Sequence, residues 1–174
     1  MSALFIRSYQ NSDRDACIAV FKSNIPKFFL KTEQKDFESY LKEGLSDYWV
    51  VVHSQAGIIA CGGLAPESED EVRLCYGLVH SQFHRRGIGK ALLLFRLVQA
   101  CNNPNLKYVS LDTIQFNPNF FGKAGFVTEK VSENHYGPNL HRYDMRLQID
   151  HNSKLNIEKE FKELIGKGFL RFEI

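Results

Sequence analysis

The chain has 174 residues, with 44% hydrophobic and 24% charged residues and a formal net charge of +2 from Lys+Arg 22 against Asp+Glu 20. That balance is globular, is long enough for one domain to bury a core without disulfides or metals, and excludes a disordered chain. No global basic field exists, so nucleic acid and anionic membrane are not expected partners and any anion site must be local.

The chain opens on a short strand at Leu4, Phe5 and Ile6. Asp13 is placed to cap a helix carrying Ala16, Ile18, Ala19, Val20 and Phe21, which Pro26 disturbs. Thr32 and Glu33 begin a second helix with Phe37, Tyr40 and Leu41, and Gly44 is placed to stop it. Residues 48–52 are aromatic and β-branched and read as a strand. A turn at Gln55-Ala56-Gly57 joins them to a second apolar run at 58–64, giving a β-hairpin. After an acidic turn, residues 72–79 form a third strand of this set.

The period then changes. Ile88, Ala91, Leu92, Leu94, Phe95 and Val98 fit a helix, ended by Asn102-Asn103-Pro104. Residues 108–111 are a strand, Asn117-Pro118-Asn119 starts a short helix closed by Gly125, and strands follow at 126–131 and 143–149 around a loop with Gly137-Pro138. The order predicts a mixed α/β fold on one sheet. Past Asp150, the spacing of Ile157, Phe161, Leu164 and Ile165 predicts a further helix capped by Gly166, and Leu170, Phe172 and Ile174 alternate as in a strand. We divide the chain into a core domain, residues 3–149, and an appendage, 150–174, suited to packing or dimerisation.

No apolar run approaches the roughly 20 residues that span a bilayer, and the start lacks a basic then apolar leader, so a soluble cytoplasmic protein is expected. Cys17, Cys61, Cys75 and Cys101 are dispersed, with no Cys-x-x-Cys, and read as buried thiols. His80 and His84 flank a turn rather than share a helix face, so no metal site is expected.

The chemistry concentrates in His84-Arg85-Arg86-Gly87-Ile88-Gly89-Lys90, between a strand and the strongest helix. Glycines at a helix start let backbone amides approach a ligand, and the free N–H groups and helix dipole favour an anion. Arg85, Arg86 and Lys90 add local charge, which points to a phosphate or pyrophosphate seat. A Walker A loop fails, because Ala91 follows Gly89-Lys90. A dinucleotide fingerprint fails, because Leu92 stands at its third glycine.

This segment resembles the Gln/Arg-x-x-Gly-x-Gly/Ala hallmark of the GNAT superfamily of acetyl-CoA-dependent N-acetyltransferases, with His84 departing at the first position. Residues 117–126, Asn117 to Gly125-Phe126, resemble the family's late motif. The resemblance covers about residues 3–149 and implies a central mixed sheet of six to seven strands flanked by about four helices. It implies acetyl-CoA as acyl donor, held by Leu78, Val79, His84, Arg85, Arg86, Gly87, Ile88, Gly89, Lys90, Asn117, Phe120 and Phe121, and a small-molecule or peptide amine as acceptor. It also implies the Val79 backbone N–H as donor to the thioester carbonyl.

Phe121 stands where many members carry a Tyr general acid, and a phenyl ring donates no proton. Tyr136 and Tyr76 are candidate replacements. Glu71, Asp112, His80 and His135 are candidate bases, and Thr113, Gln115 and the polar loop 133–142 are candidate walls of the acceptor site. Transfer of a longer acyl group, or coenzyme sensing without catalysis, are the alternatives.

Overall fold

A computed structural model describes residues 4–43, 45–169 and 171–172. The elements are β1 (Leu4–Ser8), α1 (Arg14–Lys22), α2 (Gln34–Tyr40), β2 (Tyr48–His53), β3 (Gly57–Pro66), β4 (Glu71–Val79), α3 (Ile88–Cys101), β5 (Tyr108–Ile114), α4 (Pro118–Gly122), β6 (Val127–Gly137), β7 (Leu140–Gln148), α5 (His151–Gly166) and β8 (Arg171–Phe172). The mixed α/β order read from the sequence stands. The sheet runs β6-β7-β5-β4-β3-β2-β1-β8, one strand more than expected because the tail adds β8. Neighbours are antiparallel except β4 with β5 and β1 with β8.

β2, with the sequence Tyr-Trp-Val-Val-Val-His, is an interior strand between β1 and β3 and alternates between two cores. Trp49 and Val51 face the core under α3, while Tyr48 and Val50 face the core under α1 and α2. α3 is buried on more than one face: Ile88, Ala91, Leu92, Leu93, Leu94, Phe95, Leu97 and Ala100 are all inside. A helix that apolar needs a second cover beyond the sheet. α5 supplies it. Ile157 and Phe161 join the same core, with the Phe161 ring 6.2 Å from Phe95 and Phe95 5.3 Å from Trp49. The tail therefore packs back onto its own chain, and β8 pairs with β1 at Phe5↔Arg171. Phe161→Ala should lower stability by about 3 kcal/mol, the cost of a large cavity in such a core. Urea unfolding of the two proteins measures it.

Several local expectations are corrected. Asp13 stands at the N-cap position of α1, but its side chain does not cap the helix: its carboxylate accepts the Gln10 N–H at 2.8 Å and pairs with Arg7 at 2.6 Å. α5 runs through Gly166, and the left-handed residue is Gly168 (φ 67°). The loop predicted at 133–142 is mostly strand, because β6 and β7 extend into one long hairpin turning at Pro138 and Asn139. Gly44, Leu170 and Ile174 lie outside the described residues.

Candidate active site

β4 and β5 separate soon after they meet. They pair only at Glu71↔Tyr108, Val72↔Val109 and Arg73↔Ser110. Beyond that point β4 carries one residue more than its partner β3: Gly63 pairs with Cys75 and Cys61 with Leu78, leaving Tyr76 and Gly77 against Gly62. Tyr76 takes φ 38° to fit the bulge. A bulge bends its strand and redirects it, and here a gap opens between β4 and β5.

The end of β4 is fixed by β3 and by the end of α1. The ladder bond runs from His80 N–H to Ile59 C=O at 2.8 Å. In an antiparallel ladder this leaves the N–H and C=O of Val79 on the opposite edge, toward the gap. The Val79 carbonyl accepts Asn24 Nδ2–H at 2.9 Å and meets His84 Nε2 at 2.8 Å. Ser23 Oγ accepts the Ser81 N–H at 3.0 Å. The C-terminal end of α1 thus holds the strand end, a role that nothing in the sequence of Ser23 and Asn24 announces.

The glycine loop lies directly beyond. Arg85 (φ 60°) and Gly87 (φ 81°) are both left-handed, and they turn the chain so that α3 begins at Ile88. The first intrahelical bond is Ala91 N–H to Gly87 C=O, so the amides of Ile88, Gly89 and Lys90 have no acceptor inside the helix. A Cβ on Gly89 would lie 3.7 Å from Val79 Cγ2 and 3.8 Å from the Phe120 ring. Gly89 therefore joins the strand end, the helix start and α4 at one point. Arg85 and Arg86 are exposed, and Arg86 lies over the Phe83 ring at 5.1 Å. Lys90 Nζ pairs with Glu160 Oε2 of α5 at 2.6 Å, which partly neutralises it. Phe169 of the tail rests on Gly87: a Cβ there would be 3.3 Å from its ring.

The structure separates the other residues read as coenzyme contacts. Val79, His84, Arg85, Arg86, Gly87, Gly89 and Phe120 surround the loop. The Leu78 side chain is buried under α1 and α2, and Ile88 is buried in the main core, so only backbone could serve there. Phe121 packs on the core beside Phe126, with ring centroids 5.9 Å apart. Asn117 bonds Thr113 Oγ1 at 3.1 Å and starts α4.

A second cluster sits where the gap begins, on the sheet face that carries α1 and α2. Asp112 of β5 binds Arg73 of β4, accepts the Tyr136 hydroxyl of β6 at 2.6 Å, and lies 3.8 Å from Arg142 of β7. Burial, reinforced by the Asp112 hydrogen bond and charge, pushes the Tyr136 phenol well up, so it keeps its proton. Burial, with the charges of Asp36 and Glu33, raises Tyr76 as well, so it too keeps its proton. By register Asp112 is level with Cys75, four residues short of Val79, or about 13 Å along the strand.

The remaining candidates are engaged elsewhere. Glu71 is paired with Arg146 at 2.5 Å. His80 Nδ1 accepts the Gln82 N–H at 3.3 Å, and His135 is exposed beside the Tyr136 ring. Gln115 fastens the hairpin to β5: its Nε2 donates to Asn139 C=O at 2.7 Å and its Oε1 accepts the His141 N–H at 2.9 Å. Among the described residues, no group of three or more His, Cys, Asp or Glu is placed to hold a metal ion, and no helix is long and apolar enough to cross a membrane.

The family model for the acetyltransferase (GNAT) domain matches residues 45–128, which span β2 through α4 and the loop just described. Ard1 from Thermoplasma volcanium is similar in structure at TM-score 0.71 and 20% identity, over 86% of this chain and 99% of its own. The ribosomal-protein-S18-alanine N-acetyltransferase from Escherichia coli is similar at TM-score 0.69 and 19% identity, over 84% and 94%. Rv2747 from Mycobacterium tuberculosis, crystallised in complex with CoA, is similar at TM-score 0.65 and 19% identity, over 83% and 99%. No curated protein matches this chain in sequence.

Proposed function

We propose that this chain is an acetyltransferase of the GNAT superfamily, a reading supported by the family match over residues 45–128, and that it moves the acetyl group of acetyl-CoA to a primary amine of a small molecule or peptide, by direct attack on the thioester. The observation that carries the reading is the junction at Gly89. There, helix amides without acceptors, the end of β4 and the Phe120 ring converge on the mouth of the β4–β5 gap. A diphosphate suits the amides and the dipole. The pantetheine arm then enters the gap, where the Val79 N–H donates to the thioester carbonyl and stabilises the oxyanion as it forms.

The amine arrives from the face that carries Asp112 and Tyr136. Asp112 attracts the ammonium and draws its proton off through water, and the protonated Tyr136 fixes the carboxylate. Acetyl-CoA offered with a panel of amino acids, polyamines and N-terminal peptides, with thiol release as readout, tests the reading. Tight coenzyme binding with release driven by a cationic amine is the expected result. No binding of acetyl-CoA would overturn it.

A further inference from the structure

Arg96 is a buried cation that the reaction described above does not use. It lies on α3 at 4% exposure. Its hydrogen bonds are long and go to neutral carbonyls: Nε to Leu92 O at 3.3 Å and Nη1 to Gly63 O at 3.4 Å. Among the described residues no carboxylate pairs with it. The groups whose charge would reach it are Cys75, Tyr48, Cys61 and Tyr40, from β4, β2, β3 and α2. Burial pushes the Cys75 thiol and the Tyr48 and Tyr40 phenols up, so these stay neutral. A guanidinium has five N–H donors and does not shed its charge, and a buried charge without a counter-ion is costly.

The backbone is shaped to admit this side chain. A Cβ on Gly77 would lie 2.6 Å from Arg96 Nη2, and one on Gly62 would lie 3.1 Å from Nη1. Gly77 is the bulged residue of β4, exposed at the edge that β5 leaves. Gly77 stands two residues before Val79 on the same face of β4, about 7 Å along the strand. Phe121 has no proton to give the leaving group, and the Tyr136 hydroxyl donates to Asp112 at the far end of the gap.

We propose that Arg96 is the fixed counter-charge for an anion at the end of the coenzyme's pantetheine arm. The inference rests on the reading of the gap as the acetyl-CoA site. In the transfer step the amine nitrogen bonds the carbonyl carbon and the C–S bond breaks. The electron pair leaves on sulfur as thiolate, and the ammonium proton passes toward Asp112 and water. The thiolate is one source of the anion. The carboxylate of a carboxyacyl thioester is the other.

Calorimetry on the full chain between pH 6 and pH 9 distinguishes them, with CoA, desulfo-CoA, acetyl-CoA and succinyl-CoA as ligands. For the thiolate, the affinity of wild-type protein for CoA should rise with pH relative to desulfo-CoA, by about tenfold for each unit by which the bound thiol's pKa is lowered. R96M should lose that rise, and R96K should keep part of it. For the carboxylate, succinyl-CoA should bind wild-type protein at least about tenfold tighter than acetyl-CoA at every pH, and R96M should bind the two alike. Wild-type protein showing neither preference overturns the inference, even if R96M does not fold. A preference that persists unaltered in folded R96M overturns it too. Failure of every coenzyme species to bind would instead remove the reading beneath it.

Discussion

Gly89→Asp should abolish acetyl-CoA binding while the protein stays folded. The residue occupies the first turn of α3, where a carboxylate is favourable to the helix dipole. Its Cβ would meet only ordinary contacts, at 3.7 and 3.8 Å, so nothing in the protein opposes the side chain. The opposition comes from the ligand. Two unit charges 4 Å apart at an effective dielectric of about 20 repel by about 4 kcal/mol. That is about a thousandfold in Kd. Gly89→Ala, which adds bulk without charge, should lose far less. Calorimetry with acetyl-CoA, beside a thermal melt of each variant, gives the result. A Gly89→Asp protein that binds normally would mean that the diphosphate does not sit at α3.

Asp112→Asn should separate the two halves of the site. The amide keeps the shape of the carboxylate but removes the anion that Arg73 and Arg142 face and that Tyr136 donates to. Acetyl-CoA affinity should hold within about twofold, because the cluster lies about 13 Å of strand from Val79. The value of kcat/KM for the amine should fall by about a hundredfold, the lower range for losing a proton-transfer group. Tyr136→Phe should cost about tenfold, since it loosens the carboxylate without neutralising it. Equal losses of coenzyme and amine affinity in Asp112→Asn would show a general collapse of the sheet face. Steady-state kinetics with coenzyme and amine varied in turn separates the cases.

The elements were legible in the sequence wherever a single face decided them. The alternation of β2 and the apolar spacing of α3 led to the right elements, and the glycines at 87 and 89 led to the helix start. What escaped was pairing at a distance. Only the folded chain brings Asn24 to the Val79 carbonyl, 55 positions away in sequence. Arg96 stands within the apolar sequence of α3, and only the fold brings Gly62 and Gly77 opposite it. Lys90 read as a free cation until Glu160 appeared across from it. The role proposed for Val79 comes from the family resemblance, because a backbone donor leaves no mark in side-chain identity. Asp112 and Tyr136 were named among several equals, and the geometry joined those two while Glu71 went to Arg146.

Trp49 is the sole tryptophan of the chain, and it lies 8% exposed against the edge of Phe95, which in turn meets Phe161 of α5. The molecule thus carries its own optical reporter at the seam between sheet, α3 and tail. Indole emission responds to water, so undocking of α5 would redden and dim the signal before the sheet itself came apart. A denaturation curve followed by this fluorescence would read the tail's attachment, while far-ultraviolet dichroism read the whole. Any offset between the two curves would measure how independently the last helix is held.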